Sequence, residues 1–214
     1  MSLYRFDTGV TLIGGGEPGA VSLEQALELA PNLIAADGGA NNLAERKPEA
    51  IIGDLDSLQN RESWQAKGVP VFEIDDQDTT DFEKCLEAVE APFFVALGFL
   101  GGRLDHHLAA CHALIRFRDK AVMMIGVEDV CFHCPERLEI DLPAGSRFSL
   151  FPMAPVRAES EGLHWPLDGR EFSPGTEIAV SNRVTDPVKL HMSGPGMLVM
   201  VPAQFLGSVA AALC

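Results

Sequence analysis

A short apolar run leads directly into glycine and two carboxylates in Ala50-Ile51-Ile52-Gly53-Asp54-Leu55-Asp56-Ser57. A run of this length that ends at turn residues is typical of a buried β-strand. Further runs of the same kind are Val10 to Ile13, Leu33 to Ala36, Val69 to Ile74, Phe93 to Leu97 and Ala121 to Val127. Because helix-like segments separate them, the pattern predicts an α/β fold with a mostly parallel, Rossmann-like sheet flanked by helices.

Two helix starts carry a capping box, in which a hydroxyl residue and a Glu or Gln three positions later satisfy each other's backbone N–H groups. Ser22 with Gln25 predicts the first helix, and Pro31 ends it. Thr80 with Glu83 predicts the second.

A third helix is indicated by apolar residues spaced four, three and four apart, which share one helix face. They are Leu104, Leu108, Cys111 and Ile115. We expect this face to pack on the sheet.

After about residue 131 the chain consists of short β-like runs broken by Pro and Gly, without a visible helical period. The runs are Leu138 to Ile140, Phe148 to Phe151, Glu177 to Val180, Val188 to His191 and Met197 to Val201. Runs at this spacing predict an all-β second domain, a sandwich. The sequence thus divides into an α/β domain over residues 1–130 and a β-sandwich domain over residues 131–214.

The chain carries 16 basic and 31 acidic side chains among 214 residues, a formal net charge of −15. Such a surface repels a phosphate backbone, since non-specific nucleic-acid binding needs Lys and Arg. The N-terminus lacks the pattern of a signal peptide, and no uncharged apolar run approaches the roughly 18 residues of a membrane span. The sequence therefore predicts a cytoplasmic protein that binds neither nucleic acid nor membrane.

Five cysteines, an odd number in a chain large enough to fold without cross-links, favour reduced thiols over a disulfide framework. Cys131 and Cys134 have a CxxC spacing. Zinc takes about four ligands and no second pair follows at a suitable distance, so a zinc site is the minor interpretation.

Ligands of an open parallel sheet bind beyond the carboxyl ends of its strands, so the segment after each run matters most. The first run leads into Gly14-Gly15-Gly16-Glu17, where missing Cβ atoms let backbone N–H groups approach a phosphate. A purely structural turn is the alternative, because the spacing matches no established phosphate-binding motif. The second run leads into Asp37-Gly38-Gly39-Ala40-Asn41.

Acidic residues follow the next two runs. Asp54 and Asp56, two apart on an extended segment, point the same way and offer the oxygen ligands that suit Mg²⁺. The alternative is that one of them caps a helix that begins near Ser57. The acid-rich segment 73–81 ends at a helix N-terminus, which favours a phosphate, although a solvated charge run is the alternative. Lys84 is a cation well placed there to reach a phosphate oxygen.

The fifth run leads into Gly101-Gly102-Arg103-Leu104-Asp105-His106. Arg103 offers a forked donor for phosphate, and the glycines allow close approach. His106 at the helix start is more often a structural residue than a catalyst.

Four motifs, in this order, resemble those of the thiamin pyrophosphokinase family. They are Asp37 to Asn41, Ile51 to Ser57, Asp76 to Lys84 and Gly101 to His106. In the second half, Gly162 to Leu167 and the pair Ser181-Asn182 are similar to that family's Gly-Leu-x-aromatic-Pro-Leu segment and Ser-Asn pair. Each motif is modest, but the ordered set is specific. One departure is Ala110, where the family often has Asn.

The resemblance implies an α/β domain that binds ATP and Mg²⁺, a β-sandwich domain, and a homodimer with thiamin held between subunits. The implied metal ligands are Asp54, Asp56 and Asp81, with Asp78 and Asp37 as helpers. The implied nucleotide contacts are Gly15, Asp37, Asn41, Thr80, Lys84, Arg103, Asp105 and His106. The implied thiamin contacts are Gln77, Ser181 and Asn182.

The expected reaction is attack of the hydroxyethyl oxygen of thiamin on the β-phosphorus of ATP, in line, with AMP as leaving group. Such transfers depend on positioning and charge neutralisation. The expected catalytic residues are Asp54, Asp56, Asp78, Asp81, Lys84 and Arg103, with Asp78 or Asp81 as the candidate base. The alternatives are a metal-dependent nucleotide phosphohydrolase, in which water replaces thiamin, and a sensor that binds ATP or thiamin without turnover.

Overall fold

The computed structural model describes residues 2–214. The chain divides into two compact units. The first contains the residues up to Ala113 together with Met124–Val127, and the second contains Leu114–Met123 and Glu128–Cys214.

The first unit is built around parallel strands. Its strands are β1 Tyr4–Arg5, β2 Val10–Ile13, β3 Asn32–Ala36, β4 Ala50–Gly53, β5 Val71–Glu73, β6 Val89–Glu90, β7 Phe94–Leu97 and the second half of β8 Val122–Ile125. Its helices are α1 Leu23–Leu29, α2 Arg61–Ala66, α3 Asp81–Ala88 and the greater part of α4 Leu104–Arg116, whose last residues from Leu114 belong to the second unit. The main sheet has the order β8-β7-β2-β3-β4-β5, and β1 pairs with β6 separately.

The sheet register explains the apolar runs. Strands β7, β2, β3, β4 and β5 pair in parallel, with Leu12 opposite Ile34 and Ile51 opposite Val71. Every residue of β2, β4 and β7 is buried. Parallel strands covered on both faces need continuous apolar sequence, so the prediction of an α/β fold is confirmed.

Both predicted capping boxes are present. The Ser22 hydroxyl accepts a hydrogen bond from the Gln25 N–H at 3.2 Å, and the Ser22 N–H donates to the Gln25 side chain at 2.9 Å. Thr80 and Glu83 exchange the same pair of bonds at the start of α3. Helix α3 is thereby held at its first turn, which carries Asp81.

The prediction that the face of α4 with Leu104 and Leu108 packs on the sheet is wrong. Leu104 is 71% exposed and Leu108 is 56% exposed. The buried side of the helix carries Ala110, Ala113 and Leu114 instead. Small alanines let a helix approach its neighbour closely, and the spacing of large apolar residues does not say which side does so.

The second unit is antiparallel. Its strands are β9 Asp129–His133, β10 Arg137–Ile140, β11 Arg147–Pro152, β12 Val156–Leu163, β13 Arg170–Phe172, β14 Ala179–Met192 and β15 Met197–Pro202. The order is β13-β12-β14-β11-β15-β9, and β10 also pairs with β14. Strand β14 joins two runs that the sequence analysis kept apart, because residues between them pair with β11 at Asn182 and Arg183 and with β12 at Val184.

The expectation that residues 131–214 lack a helix is wrong, since α5 spans Leu206–Leu213. This segment is apolar or small at every position and therefore shows no helical period to detect. None of the helices described between residues 2 and 214 is long and apolar enough to cross a membrane.

Among the described residues, the five cysteines carry reduced thiols. Cys131 and Cys134 are buried, and burial raises the pKa of the Cys134 thiol to about 12. Within the described chain, neither belongs to a group of three side chains placed to hold a metal ion.

His133 should make the fold sensitive to acid. Its Nε2 is buried without a hydrogen-bond partner among the described residues. Burial, and then the charge of Arg118, lower the pKa of His133 below 6.5. The unfolded chain therefore takes up this proton more readily, so stability is complete above about pH 6.5 and falls as the pH drops toward the folded-state pKa.

We predict that His133→Phe reduces the loss of stability between about pH 7.5 and pH 5.5, because the buried ring no longer titrates. Urea unfolding at the two pH values measures this loss. His112→Phe, at an exposed histidine of α4, is the control and should keep the wild-type loss. An unchanged loss in His133→Phe would contradict the prediction.

Candidate functional site

Three carboxylates meet at one edge of the parallel sheet. Asp37 follows β3 directly, Asp54 follows β4, and Asp81 is the first residue of α3. A carboxylate oxygen of each lies within 4.8 Å of the others. We call these three residues the carboxylate cluster. Parallel strands end at the same edge, which is why residues so far apart in sequence converge.

Gly53 is required for this convergence. A Cβ atom at this position would lie 2.7 Å from the Asp37 Cβ and 3.0 Å from Asp81 Oδ1. The first distance is too short for two carbon atoms, so a larger residue would push the carboxylates apart.

Asp37 is the most deeply placed member of the cluster. Its backbone has a φ of 42° and its residue is 2% exposed. Oδ2 accepts a hydrogen bond from the Ser57 N–H at 3.0 Å, whereas Oδ1 is buried without a partner in the described chain. Burial raises the pKa of this carboxyl, and the nearby charges of Asp81 and Asp54 add to the rise.

A buried carboxylate oxygen without a donor needs a cation or a proton. The cluster supplies oxygen ligands, which Mg²⁺ and Ca²⁺ prefer. The residues present therefore fit a divalent cation.

Lys84 joins two members of the cluster. It is 1% exposed, and its Nζ donates to Asp54 Oδ2 at 3.0 Å and to Asp81 Oδ1 at 3.1 Å. Burial alone would lower the pKa of Lys84, but these two carboxylates raise it overall. Burial alone would raise the pKa of Asp54, but the hydrogen bond from Lys84 lowers this pKa overall. Lysine and aspartate are both charged near neutral pH.

Asp56, a metal ligand in the sequence prediction, lies outside the cluster. It is exposed, and its Oδ1 accepts a hydrogen bond from the Ser57 hydroxyl at 2.8 Å. The structure thus brings Asp54 and Asp81 together with Asp37, which the sequence analysis treated only as a helper. The sequence did indicate a role for Asp37, because it follows an apolar run just as Asp54 does.

The segment before α3 is held by local contacts. Asp78 is exposed, and its N–H donates to Asp76 Oδ1 at 2.9 Å. The exposed Gln77 donates to Asp75 at 3.4 Å. The Thr80 hydroxyl is engaged in the capping box. These residues lie beside the cluster in sequence without contributing to it.

Asn41 ties two of the loops together. Its side chain donates to the Ser57 carbonyl at 2.9 Å and accepts from the Gln59 N–H at 2.9 Å. Gly15 approaches the loop after β3, since a Cβ atom there would lie 3.8 Å from the backbone of Gly38. The loops after β2, β3 and β4 thus form one glycine-rich surface.

Arg103, Asp105 and His106 form a separate exposed group at the start of α4. Arg103 donates two hydrogen bonds to Asp105, at 3.1 and 2.6 Å, and the His106 N–H donates to Asp105 at 3.0 Å. The hydrogen bond from Arg103 lowers the pKa of Asp105. The preceding Gly101 and Gly102 have φ values of 87° and 63°, which favour glycine.

The predicted thiamin contacts Ser181 and Asn182 lie in the second unit. Asn182 is 4% exposed, accepts from the Trp165 N–H at 3.1 Å and donates to the Trp165 carbonyl at 2.8 Å. Ser181 has a φ of 58°, and its N–H donates to the buried Ser149 hydroxyl. Asn182 thereby fixes the backbone of Trp165, which is 52% exposed. Trp165, which the sequence analysis did not select, lies inside a motif quoted for the resemblance.

A cavity of about 510 Å³ borders Lys84. Its wall also contains Arg61 and Phe72, and it includes none of the three clustered carboxylates. The cavity is therefore distinct from the candidate metal centre.

The fold and site define a class: α/β proteins in which loops at the carboxyl edge of a parallel sheet form a centre suited to a divalent cation. Residues 23–125 match the family model for "Thiamin pyrophosphokinase, catalytic domain", and residues 131–195 match "Thiamin pyrophosphokinase, vitamin B1 binding domain". Thiamin pyrophosphokinase 1 of Caenorhabditis elegans is 30% identical over 194 residues, 79% of each chain. Thiamine pyrophosphokinase 1 of Oryza sativa subsp. japonica is 28% identical over 189 residues, 72% of each chain. This chain belongs to the thiamin pyrophosphokinase family, whose reaction is pyrophosphate transfer from ATP to thiamin.

Solved structures have the same fold. Thiamin pyrophosphokinase from Candida albicans has a TM-score of 0.79 at 17% identity, covering 92% of this chain and 89% of that one. The enzyme from Geobacillus thermodenitrificans has a TM-score of 0.72 at 21% identity, covering 90% and 96%.

We predict that Asp37→Asn stabilises the metal-free protein and removes most of its stabilisation by Mg²⁺. The amide removes one of three close negative charges and places an N–H donor beside the carboxylates of Asp54 and Asp81. Thermal unfolding in EDTA and in Mg²⁺ measures both effects. Asp56→Asn, outside the cluster, is the control. If stabilisation by Mg²⁺ were lost in Asp56→Asn and kept in Asp37→Asn, the metal ligand would be Asp56 and the prediction would be wrong.

Proposed function

We propose that this chain binds ATP with Mg²⁺ at the carboxylate cluster and transfers its pyrophosphoryl group to thiamin, giving thiamin diphosphate and AMP. The observation that carries the site assignment is the buried Asp37 Oδ1, which lies without a partner beside Asp54 and Asp81. Family membership supports the reaction.

Asp37, Asp54 and Asp81 would hold the cation, which would neutralise charge on the phosphate oxygens. The N-terminus of α3 adds a partial positive charge at the same edge of the sheet. Asp56 would have to leave its contact with Ser57 to join this set, so we propose it as an outer neighbour of the metal centre.

The nucleotide would lie across the glycine-rich surface made by Gly15, Asn41 and their loops, with Thr80 at its edge. Arg103 is 71% exposed in its side chain and can leave Asp105 to bind a phosphate. Asp105 and His106 stay proposed nucleotide contacts. Exposed Asp78 is the candidate base for the thiamin hydroxyl, because a base must reach the attacking oxygen.

Thiamin carries a cationic thiazolium, and Trp165 offers an exposed aromatic face for it. Asn182 would act through Trp165, since both ends of its amide are engaged there. Gln77 and Ser181 are the other proposed contacts.

The division into residues 1–130 and 131–214, with ATP on the first part and thiamin on the second, is likewise a proposal. So are the β-sandwich architecture of the second part, the cytoplasmic location and the homodimer. Exposed apolar side chains support the homodimer, namely Leu104, Leu108, Ile178 and Val180.

Incubation with ATP and Mg²⁺, with and without thiamin, tests the proposed reaction. Chromatography should show AMP and thiamin diphosphate in equal amounts, and only when thiamin is present. AMP release at the same rate without thiamin would indicate the phosphohydrolase. Tight binding of ATP without any product would indicate the sensor.

We predict that Asp81→Asn lowers kcat for thiamin diphosphate formation by about 10²-fold or more, because it removes a charge aimed at the metal centre. Asp75→Asn, an exposed acid in the same segment, should stay within about twofold. Circular dichroism should show both variants folded. Comparable activity in the two variants would remove Asp81 from the site.

We predict that Trp165→Ala raises KM for thiamin between about twofold and tenfold and leaves KM for ATP unchanged, because one aromatic contact is worth about 0.5–1.5 kcal/mol. Phe151→Ala, another exposed aromatic residue of the second unit, is the control and should change neither constant. An unchanged KM for thiamin in Trp165→Ala would exclude Trp165 from the thiamin site.

A further inference from the structure

We propose that Lys84 is the built-in counter-cation of the carboxylate cluster, so that it positions Asp54 and Asp81 and does not bind the phosphates of ATP. The inference rests on the proposed function, in which this cluster holds the reaction's metal ion. It replaces the sequence-based expectation that Lys84 reaches a phosphate oxygen.

The first argument is geometric. Lys84 lies in the first turn of α3, three residues after Asp81, and its ammonium reaches back to Asp81 Oδ1 and across to Asp54 Oδ2. The Asp54 N–H donates to the same Asp81 oxygen at 3.2 Å. Lys84 thus joins the loop after β4 to the start of α3, and it holds the two carboxylates close together.

The second argument is accessibility. The Lys84 side chain is 1% exposed, whereas those of Asp54 and Asp81 are 24% and 29% exposed. Two of the three N–H donors of its ammonium are already engaged by carboxylates. At the edge of the sheet that carries the cluster, a phosphate would meet the more exposed carboxylates, or a cation bound to them, before it met the ammonium of Lys84.

The third argument is charge balance. The three carboxylates carry three negative charges, and the ammonium carries one positive charge. The remaining charge of minus two equals the charge of one divalent cation. Without Lys84, three like charges within 4.8 Å would repel each other, most strongly at the buried Asp37. Lys84 therefore stabilises the metal-free cluster and leaves it ready for a single ion.

This role predicts that Lys84 and the metal ion substitute for each other. Lys84→Met keeps most of the length of the side chain and removes its charge. Its melting temperature should fall below wild type in EDTA, because the repulsion is no longer offset. Added Mg²⁺ should recover most of the loss, so its stabilising shift should be at least twice that of wild type. Lys84→Arg should stay near wild type in both conditions.

A charge-compensating variant separates this role from a packing role. Asp37→Asn removes one negative charge from the cluster at a residue that the ammonium does not hydrogen-bond. Combined with Lys84→Met, it should raise the melting temperature in EDTA above that of Lys84→Met alone. Mn²⁺ binding, followed by electron paramagnetic resonance, should be at least as tight in Lys84→Met as in wild type.

Three results would overturn the inference. The first is a Mg²⁺-induced shift in melting temperature that is the same in Lys84→Met as in wild type. The second is that Lys84→Met and the double variant are both unfolded, with and without Mg²⁺. The third is that Lys84→Met loses affinity for a non-hydrolysable ATP analogue without Mg²⁺, while its metal-dependent stability is unchanged. That last pattern identifies a phosphate ligand.

The stability and Mn²⁺ measurements use no turnover, so the two proposals fail separately. A wild-type protein that shows the charge coupling but forms no thiamin diphosphate would refute the proposed function alone. If the wild-type protein forms thiamin diphosphate but the melting temperature of Lys84→Met does not respond to Mg²⁺, only the proposed role of Lys84 is refuted.

Discussion

The contact between the buried ammonium of Lys84 and the carboxylates of Asp54 and Asp81 is the interaction on which the candidate site depends. It brings the loop after β4 to the first turn of α3, where the capping box of Thr80 and Glu83 holds the helix start. Like charges that gather in a protein are stabilised when an opposite charge or a bound proton offsets them. Here a lysine offsets part of the charge, and a divalent cation can offset the rest.

Backbone geometry makes this arrangement possible. Strands β3 and β4 are parallel neighbours, so the residues that follow them leave the sheet at the same edge. Gly53 then allows Asp37 and Asp81 to approach without a side chain between them. The loops that carry Gly15 and Asn41 surround the same edge. Positioning of charge, which phosphoryl transfer needs most, is thus a consequence of sheet topology.

The sequence predicted those features that rest on local physics. Apolar runs marked the buried parallel strands, and two hydroxyl residues paired with Glu or Gln marked the starts of α1 and α3. It failed where the cause is not local. The apolar face of α4 that begins at Leu104 is exposed, because alanines on the other side allow closer packing. Helix α5 was missed because a uniformly apolar segment carries no period.

The sequence by itself determined the α/β class, the family and the segments that carry the candidate site, since these follow from periodicity and short motifs. Only the tertiary structure decided that Asp37, and not Asp56, converges with Asp54 and Asp81. It also decided that the side chains of Lys84 and Asn182 are buried and hydrogen-bonded. The reason is that convergence, burial and hydrogen-bond saturation depend on the approach of residues distant in sequence, and spacing along a chain does not record it.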